Sequence, residues 1–378
     1  MTFTPFDEQM MRIALTLARR GLGTVAPNPS VGAVVADETT GEVIARGMTQ
    51  PGGRPHAETE ALRRAGARAK GATLYVTLEP CAHHGQTPPC ADAVIAAGLA
   101  RVVIGVEDPD PRTGGAGSAR LRDAGIRGDV GCRGKEARWV TLGHILRVGA
   151  RRPFVALKMA LAHDGALPRG EAGQALFVTG VEARALAHRF RAESDAILIG
   201  AGTARDDDPE LTCRLPGLAG RTPVRSVLSR TLDLSPDLKL LRTAREVPVW
   251  IFTGETPDAD KVRVLEARGA RILSVPSAGG VLRTGRVLRT LADEGVTRLL
   301  VEGGEAIWRS FAAERLVDEV VLFQALGGGK GDLSSSALAV RYAPGLDLAL
   351  TMQRRVGADA VSTYRVVDLP RPGVGRSA

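Results

Sequence analysis

The stretch Leu78-Glu79-Pro80-Cys81-Ala82-His83-His84-Gly85-Gln86-Thr87-Pro88-Pro89-Cys90 decides the reading of this chain. It holds two of the four cysteines and two of the six histidines. Such a cluster suits a disulfide loop, a redox pair, a structural zinc knuckle or a catalytic metal site. Upstream, Gly53-Arg54-Pro55-His56-Ala57-Glu58 adds an imidazole and a carboxylate. One imidazole and two thiolates make three protein ligands, and a tetrahedral zinc then keeps one position open for water. Zinc lowers the pKa of that water, so a nucleophile becomes available near neutral pH. Glu58, two residues after His56 at an expected helix start, lies near such a metal without ligating it and is placed to shuttle protons.

His-x-Glu, then a strand, then Pro-Cys is the pattern of zinc-dependent deaminases. The second cysteine departs from it: Cys90 follows Cys81 by nine positions, where that pattern has Cys-x-x-Cys. Gly85, Pro88 and Pro89 break any continuous helix, so Ala82–Pro89 leaves the metal as a loop and returns. A structural knuckle needs a fourth protein ligand, which His83 or His84 could supply. The order His-Ala-Glu, strand, Pro-Cys favours catalysis, with His83 and His84 then shaping a substrate pocket.

The rest of the 378-residue chain has room for two domains. Aromatics make up only 4%, which argues against stacking platforms for nucleic acid. The net charge of +8 comes from scattered arginines and suits a solvated surface or phosphorylated small molecules. No apolar run is long enough for a membrane span. The N-terminus reads as an amphipathic helix (Met10, Ile13, Ala14, Leu17, Ala18) with Asp7 as N-cap, not as a signal peptide. The cysteine pattern suits a reducing, cytoplasmic compartment, which weighs against the disulfide.

Strands and helices alternate through both halves. In the first, Val31–Ala36 and Glu42–Gly47 read as a hairpin, His56–Ala65 as a helix, and Thr73–Leu78 and Arg101–Val106 as strands. The second half offers strands at Phe154–Met159, Ala196–Gly200, Arg225–Leu228, Val249–Thr253, Arg271–Val275, Arg298–Val301 and Glu319–Gln324. A mainly parallel sheet is expected in each half. The boundary is placed at Gly149-Ala150, giving domains 1–149 and 150–368 and a disordered tail, 369–378. In the second half, Leu299-Leu300-Val301-Glu302-Gly303-Gly304-Glu305 puts two glycines between a strand and a helix start. That arrangement lets a ligand phosphate approach the backbone, and a side chain at Gly304 is expected to block it. Lys158 lies in an apolar strand, where a charge is rarely placed without a partner.

Together with Ala26-Pro27-Asn28-Pro29 and Asp108-Pro109-Asp110-Pro111, the opening stretch resembles the bifunctional deaminase–reductase family of riboflavin biosynthesis. The Thr-Pro-Pro-Cys ending and the wide cysteine spacing separate that family from transfer-RNA and cytidine deaminases. Arg152–Ala160 with Asp164-Gly165, Ser194–Thr203 and Asp207–Arg214 resemble its reductase half. The resemblance implies an α/β chain: a cytidine-deaminase-like three-layer domain followed by a dihydrofolate-reductase-like domain.

It implies one Zn²⁺ per chain on His56, Cys81 and Cys90, with Glu58 catalytic. The activity implied is deamination of 2,5-diamino-6-ribosylamino-4(3H)-pyrimidinone 5′-phosphate, then NADPH-dependent reduction of the ribosyl group to ribityl. Asn28, Gln86, Asp108 and Asp110 fall on substrate positions of the deaminase. Leu161, Phe177, Thr203, Asp207, Gly303 and Gly304 fall on NADPH positions. Ala175, Arg191, Leu211, Arg214 and Glu302 fall on substrate positions of the reductase, with Lys158 beside them. Partners are phosphorylated pyrimidines, with no nucleic acid or membrane, and an assembly of identical copies is expected.

This chain departs from the family's commoner residues at Gln86 (basic), Asp110 (Asn), Ala175 (Ser), Phe177 (Trp) and Ser229 (Asp), at Ala162-His163 and in Gly327–Lys330. Three rivals follow: a deaminase with a degenerate reductase-like binding module, a nucleic-acid deaminase with an accessory domain, and a non-catalytic protein whose zinc on His56, Cys81 and Cys90 serves stability.

Overall fold

The computed structural model describes residues 2–110, 113–168, 178–326 and 335–367. Ala175, Phe177, Gly327–Lys330 and the tail lie outside them. The chain divides into two compact units, the first ending at Arg151 and the second beginning at Arg152.

The first unit runs α1 (Pro5–Gly21), β1 (Gly32–Asp37), β2 (Glu42–Met48), α2 (Ala57–Ala65), β3 (Thr73–Leu78), α3 (Cys90–Ala96), β4 (Arg101–Val106), α4 (Ala116–Asp123), β5 (Arg127–Val130), α5 (Gly134–Ala150). Its sheet has the order β2-β1-β3-β4-β5. Side chains alternate across the strands. Val34, Ala36, Tyr75 and Val103 meet Met10, Met11 and Leu15 of α1 and Val140 of α5. Ala33, Val35, Leu74 and Val76 meet Ala61 and Leu62 of α2 and Val94 of α3. The result is a three-layer sandwich. Gly32 permits the close approach of α1, since a Cβ there would stand 1.9 Å from the Ala14 carbonyl oxygen.

Two expectations are corrected here. The N-cap of α1 is Thr4, not Asp7. The Thr4 hydroxyl accepts the Asp7 N–H at 3.1 Å, and the Asp7 carboxylate accepts the Thr4 N–H at 2.9 Å. Pro5 explains the earlier start, because its fixed φ suits the first helical position. Nor is this sheet mainly parallel: β1 is antiparallel to both β2 and β3, and only β3, β4 and β5 run parallel. Strands joined by a tight hairpin must oppose each other, whereas helix-connected strands need not. Because β3 and β4 are parallel, their C-terminal ends lie side by side. The chain there leads into Cys81 after one strand and Asp108 after the other.

The second unit runs β6 (Phe154–Leu161), α6 (Val181–Ala192), β7 (Ala196–Gly200), α7 (Ala201–Asp207), β8 (Val224–Leu228), α8 (Lys239–Arg242), β9 (Val249–Thr253), α9 (Ala259–Ala267), β10 (Arg271–Ser274), β11 (Ser277–Ala278), β12 (Val281–Leu282), α10 (Thr284–Asp293), β13 (Arg298–Val301), α11 (Glu305–Ala313), β14 (Glu319–Ala325), α12 (Ser335–Tyr342), β15 (Leu348–Val356), β16 (Asp359–Val366). The main sheet has the order β10-β9-β8-β7-β13-β6-β14-β16-β15. It is parallel from β10 to β14, and the last two strands are antiparallel.

The central strands read from their buried runs of Val, Leu and Ile. β15 and β16 did not, because β15 is a largely exposed edge with no apolar stripe. The buried Arg152 guanidinium grips Asp318 through two bonds of 2.7 and 2.8 Å, and Asp318 also accepts the Val155 N–H. This ties the first strand of the unit to the turn before β14. No helix among the described residues is long and apolar enough to cross a membrane.

Candidate functional site

His56 stands at the N-cap of α2 but caps nothing with its side chain. Its ring turns toward the two thiols instead. Nδ1 lies 3.3 Å from Cys90 Sγ and 3.9 Å from Cys81 Sγ, and the three donor atoms all lie within 4.8 Å of one another. Zinc bonds of about 2.0–2.3 Å at tetrahedral angles put ligand atoms roughly 3.3–3.8 Å apart, so the donors fit zinc. The thiols themselves argue for a cation. The hydrogen bond from Cys90, opposed by burial, holds the Cys81 thiol well below the usual range. The bond to Cys81 and burial push Cys90 up. Negative charge on one sulfur opposes charge on the other until a positive ion separates them.

Glu58, in the first turn of α2, is 4% exposed. Burial pushes its carboxyl up to about 7, against the pull of the His56 imidazole.

Glu79, in the opening stretch, carries no role that its sequence context announces. It is buried, and its carboxylate accepts backbone N–H groups from Asp108 (3.2 Å), Gly115 (3.0 Å) and Ser118 (2.8 Å). It therefore fastens the segment after β4 to the strand end that carries Cys81. Asp108 is further held by His144 Nε2 at 3.1 Å and accepts the Asp110 N–H at 3.0 Å. The amide of Asn28 lies against Gly53, leaving no room there for a Cβ. Gln86 is exposed in the loop between the cysteines. His83 turns away from the cluster to Thr113 Oγ1 at 3.0 Å.

In the second unit a cavity of about 970 Å³ gathers Lys158, Arg191, Thr203, Asp207, Leu211, Arg214, Glu302, Gly303 and Gly304. It opens where β7, β13 and β6 end, as expected for a parallel sheet. Leu161 is fully buried in the core and is not among the described residues lining the cavity. Arg191 and Glu302, both expected on the substrate of the reductase, hold each other through two bonds of 2.8 Å. Lys158 Nζ lies 4.0 Å from the same carboxylate. Burial alone would raise the Glu302 carboxyl, but Arg191 and Lys158 outweigh it and hold the group at about 2. Burial lowers Lys158 from the ordinary lysine range, and Glu302 opposes that.

The two glycines of the turn differ in what surrounds them. Gly304 has an ordinary backbone (φ −73°), and a Cβ on it would meet only Thr203 Oγ1 at 3.7 Å. The crowded position is Gly303, where a Cβ would come within 2.9 Å of Ile307.

His188 also lines this cavity. Its Nδ1 accepts the Arg214 N–H at 3.4 Å, and burial, then Arg191 and Arg214, lower its pKa. Fully buried Arg225 braces the Asp207–Arg214 segment, donating to the Glu210 carbonyl at 3.2 Å and Thr243 Oγ1 at 2.8 Å. Leu211 in that segment takes a left-handed φ of 57°, uncommon for a residue with a Cβ. A charge among apolar strand residues was the available signal for Arg225, as it was for Lys158.

Two family models match. The RibD C-terminal domain covers residues 153–361. The cytidine and deoxycytidylate deaminase zinc-binding region covers residues 4–106. The chain is 39% identical to the riboflavin biosynthesis protein RibD of Aquifex aeolicus, over 84% of this chain and 86% of the relative. Among solved structures, RibD of Acinetobacter baumannii (form 1) superposes with a TM-score of 0.81 at 30% identity, covering 96% of this chain and 99% of that one. A diaminohydroxyphosphoribosylaminopyrimidine deaminase/5-amino-6-(5-phosphoribosylamino)uracil reductase from Thermotoga maritima does so with a TM-score of 0.78 at 33% identity, covering 96% and 99%.

Proposed function

We infer what each site does from one premise: the chain belongs to the RibD family of riboflavin-biosynthesis enzymes. It is a bifunctional enzyme, a zinc-dependent deaminase followed by an NADPH-dependent reductase. The observation that carries the deaminase is the cluster of His56 Nδ1, Cys81 Sγ and Cys90 Sγ beside a buried Glu58.

His56, Cys81 and Cys90 hold the zinc. Bound there, zinc supplies the acidification of water that makes a nucleophile available near neutral pH. Glu58 carries a proton to the pyrimidine ring nitrogen and then to the departing amine, and its buried position suits both taking and giving one. Asn28, Asp108 and Asp110 orient the diaminopyrimidine ribosyl phosphate, with Glu79 and His144 holding the Asp108 segment in place.

In the reductase NADPH, when bound, would supply a hydride to the sugar C1′ as the bond from C1′ to the ring oxygen breaks, and that oxygen then takes a proton. Thr203, Asp207 and the Gly303-Gly304 turn receive the cofactor. Lys158, Arg191, Leu211, Arg214 and Glu302 receive the deaminated substrate, with Leu161, Ala175 and Phe177 assigned by the resemblance alone. Lys158, in the cavity with its ammonium 4.0 Å from the Glu302 carboxylate, is the group assigned to give that proton. Glu302 is held ionised and has no proton to give. His188 is held neutral and would have to become an anion. Lys158 is the cation of lowered pKa beside them. A cytoplasmic assembly of identical copies completes the reading.

Two assays on the zinc-loaded chain test it: ammonia release from the diaminopyrimidine substrate, and NADPH oxidation with the deaminated product. No ammonia release overturns the deaminase. Ammonia release without NADPH oxidation overturns the reductase and favours a deaminase carrying a binding module.

A further inference from the structure

The deaminase substrate carries a phosphate, and a phosphate in a protein site calls for a cation. The Ala82–Pro89 loop contains no lysine or arginine. Of the nearby helix cations, Arg63 and Arg64 of α2 pair with Glu60, and Arg120 of α4 pairs with Asp92 and touches the loop only at the Ala82 carbonyl, at 3.4 Å. Arg54 is different. It lies two residues before His56, half-buried, and among the described residues it has no carboxylate partner.

The Arg54 guanidinium instead crosses to the loop. Nη1 donates to Thr87 Oγ1 at 2.6 Å, and Nη2 lies 3.4 Å from where a Cβ on Gly85 would stand. The side chain therefore spans the loop from Gly85 to Thr87, the two neighbours of Gln86. Its immediate neighbour Gly53 is packed against the Asn28 amide, so Arg54 sits between an expected substrate contact and the loop. Because Thr87 accepts from Arg54, its own hydroxyl hydrogen is free to donate. Nη2 and Nε of Arg54 remain available as a planar fork that suits phosphate oxygens.

We propose that Arg54, with Thr87, is the phosphate-binding determinant of the deaminase, supplying from the turn before His56 the positive charge that Gln86 does not. This rests on the reading that the first unit deaminates a ribosyl phosphate. Arg54 also touches the loop joining the two cysteine ligands, so the site would sense phosphate where the metal ligands are held.

The test compares the Michaelis constants for deamination of the ribosyl 5′-phosphate and of its dephosphorylated form. The wild-type chain prefers the phosphate. In Arg54→Gln the KM for the phosphate form rises by about 10- to 100-fold, as for loss of a charge-assisted bond, and the preference collapses. Arg54→Lys restores part of it, and Gln86→Arg added to Arg54→Gln restores more. Inhibition by inorganic phosphate weakens in parallel. Equal KM changes for both forms, or an unchanged preference, overturn the proposal and leave Arg54 a structural role. Absence of deamination by the wild-type chain overturns the underlying reading and this proposal with it. Zinc content is measured for every variant. If Arg54→Gln loses zinc, Gln86→Glu carries the test, since a negative charge beside Arg54 should produce the same loss of preference, and a retained preference refutes it.

Discussion

Replacing Glu302 by Gln removes one negative charge from a triad and leaves its shape. The side chain is only 8% exposed, with Arg191 at 2.8 Å and Lys158 at 4.0 Å. The carboxyl is held at about 2 against an ordinary value of 4.5. A depression of that size corresponds to about 3 kcal/mol of stabilisation at neutral pH, as an order of magnitude. Removing one partner of a buried pair typically costs roughly 3–5 kcal/mol, which agrees.

The sign follows from the depressed folded-state pKa. The stabilisation is complete above pH 4.5 and is lost as pH falls through the folded value near 2. The variant should therefore be destabilised by the full amount at pH 7 and by less in acid. Urea unfolding monitored from the second unit, with wild type, Glu302→Gln, Arg191→Gln and the double variant, measures both the cost and the coupling. The double variant should be less destabilised than the sum of the singles, because Glu302→Gln leaves two buried cations without a carboxylate and Arg191→Gln leaves Glu302 with Lys158 alone. Reduction should be lost in all three, and deamination should persist. Additive costs, or a cost for Glu302→Gln below about 1 kcal/mol, would refute a buried, mutually dependent triad.

Cys90→Ser should lower zinc from about one equivalent per chain to a trace, read by metal analysis, and undiminished zinc would remove Cys90 from the ligand set. Glu58→Gln should keep its zinc while deamination falls by roughly 10²–10⁴-fold, and NADPH oxidation with the deaminated substrate should continue. Near-normal ammonia release would rule Glu58 out as the proton carrier. Gly303→Ala places a Cβ against Ile307 and should weaken NADPH binding, measured by fluorescence titration. Gly304→Ala meets no protein atom closer than Thr203 Oγ1, so at this cavity-lining position its methyl should weaken NADPH binding at least as much, and an unchanged affinity would place the close approach elsewhere.

Much of this protein follows from residue chemistry and local pattern alone. Zinc demands thiolates and imidazole, and turns and strand ends bring them to one point. His56, Cys81, Cys90 and Glu58 therefore stand out as a set before any fold is known. The central strands announce themselves by their buried aliphatic runs. Tertiary structure alone decided what long-range closure controls. Arg191 and Glu302 meet across 111 positions, and Glu79 reaches Ser118 across 39. The direction of β1, the edge strands β15 and β16, and the position of Arg54 over the Gly85–Thr87 loop belong with them. Periodicity records which face of a strand or helix is buried, but not which strand becomes its neighbour. The partner of a buried charge exists only once the sheet order has been set.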